Sequence, residues 1–224
     1  MDDTENQTVL ARITANARSE RKAKAMTLQK ALRIALAKVA DALMDLPAAV
    51  LSVTIQDIKG EDVEAVLDDD QLLLILDGPN GCIGAAMFAP VVVGAMIQQQ
   101  TVGNVSPGPD PERAMTRTDA AICAPLLDAL FERMVPLLDE PDEAELIDGH
   151  QFGAKAHDAR TLALALDASD YITIRLTLDI ARGARQGEVV LFCQRLRRAP
   201  SNPTRRVRTQ TQRRPIRRPT WPSL

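Results

Sequence analysis

Two histidines, three cysteines, two acidic clusters and one glycine-rich segment are the features with which this chain could do chemistry. His150 and His157 lie seven residues apart in a stretch expected to be a strand, so they face opposite ways, and neither has a Cys or His at metal-ligand spacing. They read as surface or structural residues. Cys82, Cys123 and Cys193 form neither an even disulfide framework nor a metal motif, which suits a reducing cytoplasm. Asp77-Gly-Pro-Asn-Gly-Cys-Ile-Gly84 has the glycines of a phosphate cradle, but no Lys-Ser/Thr follows it and its flanks read as two strands, so it is a turn. Asp68–Asp70 and Asp139–Glu145 could touch a cation loosely, although a solvated face or loop accounts for them better. No catalytic residue, cofactor site or metal site is identified, and function is expected to lie in binding.

Composition divides the chain unequally. It has 224 residues, 46% of them hydrophobic, and 27 basic against 30 acidic side chains. That is enough apolar material for a substantial core. Residues 195–224 nevertheless hold ten Arg, no Lys, no acid and five of the 14 prolines, leaving a body of 17 basic and 30 acidic residues, net −13. The body repels polyanions and the tail attracts them. Aromatic residues make up only 3%, so base-stacking platforms are not available. MDDTENQ does not open like a signal peptide, and the Cys82–Ile97 run is too short and too broken by Gly84, Pro90 and Gly94 to span a membrane.

Leu28, Leu32, Leu36, Val39, Leu43 and Leu46 recur at helical steps until Pro47, which predicts a long amphipathic helix. Leu51, Val53 and Ile55 alternate as a strand, and Glu61–Leu67 fits one or two helical turns. Gln71–Leu76 and Cys82–Phe88 should form a hairpin. Pro90 should open a helix running through Val93 and Ile97, followed by a loop from Val102 to Pro111. A second long helix starts near Thr116 or Thr118 and runs to Met134, with Pro125 either kinking it or marking a later start. Leu146–Ala156, Ile172–Ile180 and Gly187–Cys193 read as strands.

The order helix, strand, short helix, strand, strand occurs twice, with Val63–Leu67 and Leu72–Leu76 in one half matching Leu162–Leu166 and Ile172–Leu176 in the other. This predicts an internal duplication, and it makes Leu162–Leu166 a short helix despite its strand-like spacing. Phe88-Ala-Pro90-Val-Val-Val, Met115-Thr-Arg-Thr-Asp119 and the final hairpin Ile172-Thr-Ile-Arg-Leu to Gly187–Cys193 then carry a resemblance. Over roughly residues 28–193 the chain resembles the middle domain of the flagellar motor switch protein FliM, which shares its fold with the CheC and CheX phosphatases. The expected class is α/β (α+β), a pseudo-twofold duplicated unit with a mixed sheet and two long helices. Its expected boundaries are a polar segment over residues 1–24, partly helical or disordered, the domain over 25–194, and a disordered Arg/Pro tail over 195–224.

The resemblance also states what to look for. The related phosphatases place a carboxylate and an Asn on one helix face to orient a water towards an aspartyl phosphate. The matching series here are Asp128, Glu132, Val135 and Asp41, Asp45, Ala48, so the amide is missing twice and no phosphatase activity is implied. The loop after the Pro-led helix carries the FliG contact in this family, and its counterpart is Thr101, Val102, Gly103, Asn104 and Val105, with only one glycine of the family's element kept. The implied role is a non-enzymatic motor-switch component of the C-ring at the basal body, cytoplasmic and peripheral to the membrane. It would bind FliG and neighbouring copies of itself in rotation, motility and chemotaxis. FliN would join only if a SpoA segment existed, and after Cys193 only the tail follows. The segment that captures phosphorylated CheY in the family has no convincing counterpart. Two other classes stay open: a CheC-like phosphatase, and a polyanion-binding adaptor acting through the tail. The tail itself reads either as out-of-frame coding or as a real basic arm.

Overall fold

Helix α1 (Leu28–Met44) forms because Leu28, Leu32, Leu36 and Val39 line one face, and these with Ala31, Ala35, Ala40 and Met44 are buried. It stops at Asp45, whose φ of 51° turns the chain left-handed ahead of Pro47. Leu43, although in step with the apolar repeat, is exposed, and Met44 takes the inward position. This computed structural model describes residues 25–108 and 112–195. The expectations for residues 1–24 and for the tail beyond Arg195 lie outside the described residues.

β1 (Ala48–Lys59) is followed by two 3-10 turns at Gly60–Asp62 and Glu64–Val66. The hairpin β2 (Leu72–Asp77) and β3 (Ile83–Phe88) turns through Asn80 and Gly81, both at positive φ. Helix α2 (Pro90–Val102) has Pro90 in its first turn, where a missing N–H costs nothing. The second half runs α3 (Arg117–Met134), α4 (Pro141–Ile147), β4 (Gln151–Lys155), α5 (Ala159–Ala165), β5 (Asp170–Ile180) and β6 (Arg185–Gln194).

Among the described residues six strands form one sheet in the order β1-β5-β6-β3-β2-β4. Exchanging the strands of one half for their counterparts in the other gives the same order read backwards, which is the duplicated unit expressed as a pseudo-twofold. At its centre β3 meets β6, from Ala85 opposite Phe192 to Phe88 opposite Val189. All five pairings are antiparallel, so the fold class is as expected but the sheet is not mixed. The symmetry requires this only at the centre, where β3 meets its own equivalent β6; the other four pairings are antiparallel through the hairpins and the crossovers, not through the twofold. Both edge strands bulge, at Leu51 in β1 and Gly153 in β4, a feature that bends an open edge away from further pairing.

α1, α2 and α3 cover one face of the sheet over a core that includes Leu32, Leu36, Leu74, Phe88, Met96, Leu127, Phe131 and Ile174. The opposite face is shorter on cover. There the 3-10 turns and α5 close a smaller cluster of Val63, Leu73, Met87, Leu162, Tyr171 and Phe192. Leu162–Leu166 belongs to α5 and its C-cap, as the repeat implied, and the Asp158 carboxylate accepts a hydrogen bond from the Thr161 N–H at its start.

At two places the structure selects or moves a boundary. α3 starts at Arg117 with Thr116 as its cap, so Pro125 does not mark a later start; it lies inside the helix on the exposed side, where water can reach the freed carbonyl. The expected strand from Leu146 begins only at Gln151, because Leu146 and Ile147 complete α4. The acids there are structural: the Asp139 and Glu143 carboxylates accept from the Met26 and Leu28 N–H groups, capping α1 from more than a hundred residues away. In the other cluster, Asp69 accepts from the Ala159 N–H at the start of α5.

Candidate functional site

The loop between α2 and α3 is held at both ends by side chains. At the α3 end Thr116 is the N-cap, and it exchanges hydrogen bonds with Asp119: the Asp119 N–H donates to Thr116 Oγ1 at 3.3 Å, and the Thr116 N–H donates back at 2.6 Å. Arg113 grips the same carboxylate through both terminal nitrogens, at 2.7 and 2.8 Å. Asp119 is only 3% exposed. The Arg113 guanidinium, with help from Thr116, holds its pKa at about 2 against the cost of burial.

Along α2, Val92, Val93, Ala95 and Met96 pack inward, and Gly187 of β6 lets the first turn of the helix, far from the loop, lie close to the sheet. Thr101 donates its hydroxyl back to the Ile97 carbonyl at 2.7 Å. Gly103 ends the helix at φ 73°, the left-handed region that glycine enters without strain, and its N–H donates to the Gln99 carbonyl. Gln99 also donates through Nε2 to the Asp45 carbonyl at 2.9 Å, joining the ends of α1 and α2. Of the five residues expected to form the partner-binding loop, Thr101, Val102, Gly103 and Asn104 are exposed. Val102 is 75% exposed, an apolar side chain standing in solvent. Val105 is buried and anchors the loop. Thr101 and Val102 belong to the last turn of α2, so the surface is a helix end and its cap rather than a free loop. Leu43, half exposed near the adjoining end of α1, keeps the step of that helix's apolar repeat but stands outside the core, and the helix ends at Asp45, two residues before Pro47.

The phosphatase-like series does not assemble. Asp128 accepts the Phe152 N–H at 2.6 Å and so fastens β4 to α3, while Val135 opens a 3-10 turn beyond the helix. In α1 the middle residue, Asp45, is already left-handed and Ala48 is in β1. A cleft of about 1120 Å³ beside α2 mixes Asp69, Asp70 and Glu112 with Arg113, Lys155 and His157. Asp69 and Arg113 there are engaged in the two helix starts already described.

His157 is exposed and contacts Asp158, whereas His150 is buried against Phe131, ring centroids 5.7 Å apart, with Nδ1 3.3 Å from the Ile147 carbonyl. Neither lies within β4: they bracket it. Burial lowers the His150 pKa below its usual 6.5. The neutral ring is the form the fold holds, so its contribution to stability is complete above that value and is lost as the pH falls below it. Urea unfolding between pH 7 and 5 should therefore weaken with a slope of up to about 1.4 kcal/mol per pH unit, and His150→Leu should flatten it. Burial also raises the thiols of Cys123 and Cys193 to about 12, leaving them unreactive. Among the described residues no helix is long and apolar enough to cross a membrane.

No protein-family model matches the sequence, and none of the curated proteins does. Solved structures do match in fold. FliM in its complex with FliG from H. pylori has a TM-score of 0.51 at 16% identity, over 72% of this chain and 87% of that one. FliM in the FliM-SpeE complex from H. pylori gives 0.51 at 14%, over 73% and 82%. Thermotoga maritima FliY gives 0.52 at 12%, over 73% and 84%. The chain therefore has the α/β fold shared by these flagellar proteins.

Proposed function

We propose that this chain is a non-enzymatic component of the flagellar motor switch that binds FliG through the exposed end of α2. The reading rests on one juxtaposition: Thr101, Val102, Gly103 and Asn104 stand exposed, with an apolar side chain at their centre, on a fold shared with a FliM that has been solved with FliG. An exposed valine beside a glycine cap suits close packing against a partner, since apolar area is buried while the backbone can approach closely. Val105 serves this surface by anchoring it. Copies of the chain packing side by side, a cytoplasmic place at the inner face of the membrane, and a role in switching belong to the same reading. FliN is a partner only where a SpoA segment is present.

The mechanism is mechanical. Torque would pass through α2 into the sheet, because the helix lies directly on β6 at Gly187 and is tied to α1 through Gln99. No residue needs to react. The engaged Asp128, the left-handed Asp45 and the apolar Val135 and Ala48 all speak against a CheC-like phosphatase. Calorimetric titration of the purified chain with FliG tests the proposal. Micromolar binding supports it, and no heat at about 100 μM, or acceleration of aspartyl-phosphate hydrolysis by the chain, would contradict it.

A further inference from the structure

Ser106, the residue after the buried Val105, is held on both sides of its peptide. Its N–H donates to Gln98 Oε1 at 3.0 Å, and its carbonyl accepts from Arg185 Nε at 2.9 Å. Arg185 comes from a distant part of the chain. It is the first residue of β6, paired with Ile180 at the mouth of the β5–β6 hairpin, and it is only 5% exposed. A guanidinium is seldom buried so deeply, because desolvating it is costly unless its donors are used. Here one of them is spent on the main chain of a surface loop. Gln98, one turn before the end of α2, holds the same residue from the helix side, so Ser106 links the helix end to the hairpin.

We propose that Arg185 is the positioning residue for the exposed end of α2: it clamps the backbone at Ser106, keeps Val105 seated in the core, and so fixes the orientation in which Val102, Gly103 and Asn104 are presented. The clamp makes the binding surface part of the sheet, since a shift of the β5–β6 hairpin is carried by Arg185 to the loop. The consequence for binding rests on the FliG reading above; the clamp itself does not.

Two readouts separate these. Arg185→Met keeps the length and apolar stem while removing the donor, and Arg185→Lys keeps a cation and a donor. In the full chain, hydrogen exchange at the Asn104, Val105 and Ser106 amides should quicken about tenfold in Arg185→Met, the worth of one lost hydrogen bond, and stay within about threefold of the parent in Arg185→Lys. Gln98→Leu, which leaves the buried residue alone, should loosen the same amides and covers the case in which Arg185→Met does not fold. FliG affinity should fall about tenfold in Arg185→Met and Gln98→Leu and recover in Arg185→Lys. Unchanged exchange at these amides in the folded variants overturns the clamp. Equal FliG affinity for parent and Arg185→Met, with exchange accelerated, overturns its role in presenting the surface. A parent chain that shows the exchange effect and does not bind FliG upholds the clamp and sinks the FliG reading.

Discussion

Replacing Asp119 with alanine should lower the free energy of unfolding by about 3 kcal/mol, measured by urea titration at pH 7. Three losses combine. The N-cap exchange with Thr116 disappears, worth about 1 kcal/mol in other helices. The bidentate partner of Arg113 goes with it, and the Thr116 N–H loses its acceptor in a partly buried setting. Arg113 is itself 42% exposed, so water recovers part of its cost, which keeps the total near the lower end for a broken buried pair. The acid limb of the stability curve carries the same signature. The Asp119 carboxylate lies at about 2 in the fold against 3.8 free, so its contribution of about 2 kcal/mol is present above pH 4 and disappears as the pH falls through 2. Asp119→Ala should remove that part of the acid dependence. Arg113→Ala, which leaves the capping box in place, should cost about 1 kcal/mol.

Gly187→Ala should be nearly as damaging, at about 2 kcal/mol, for a steric reason. A Cβ at this position would come 2.5 Å from Val91 Cγ1 and 2.6 Å from Val92 Cγ2. Both belong to the first turn of α2; Val91 is only partly buried, but Val92 is buried and cannot turn away without opening the core, so relief comes from lifting this turn of α2 off β6. The helix carries Val102 and Gly103 at its other end, so the substitution should also weaken FliG binding although it lies far from that surface along the helix. Thermal unfolding beside the FliG titration checks both parts, and Gly187→Val should be worse in each.

What could be read from the sequence follows how local its causes are. Ile172 to Ile180 alternates because one side of β5 is buried under helices, and the period of two reports that directly. Pro90 and Thr116 mark helix starts through their own chemistry. Leu162–Leu166 was ambiguous in spacing and was resolved only by the repeated half. The features that went unread depend on partners far along the chain. Asp139 and Glu143 looked like a solvated cluster because the N–H groups they cap belong to Met26 and Leu28. α4 was missed because seven residues rich in acids give no apolar period. The antiparallel pairing of β3 with β6 goes with the twofold, and the directions of the outer strands depend on crossovers that sequence order alone does not orient. At the candidate surface, Thr101 to Asn104 could be placed from the Pro-led helix before them, but the burial of Val105 and the grip of Arg185 on Ser106 depend on β6, some eighty residues away.

The most direct test compares two equally exposed apolar residues on opposite sides of the molecule. Val102, 75% exposed, ends α2, and Leu164, 76% exposed, lies on α5 over the other face of the sheet. Neither Val102→Asp nor Leu164→Asp should move the thermal midpoint by more than about 2 °C, since both side chains already stand in water. FliG affinity for Val102→Asp should fall at least about tenfold, and for Leu164→Asp it should stay at the parent value. FliG binding that survives Val102→Asp, or is lost only with Leu164→Asp, would contradict the placement of the partner surface at the end of α2.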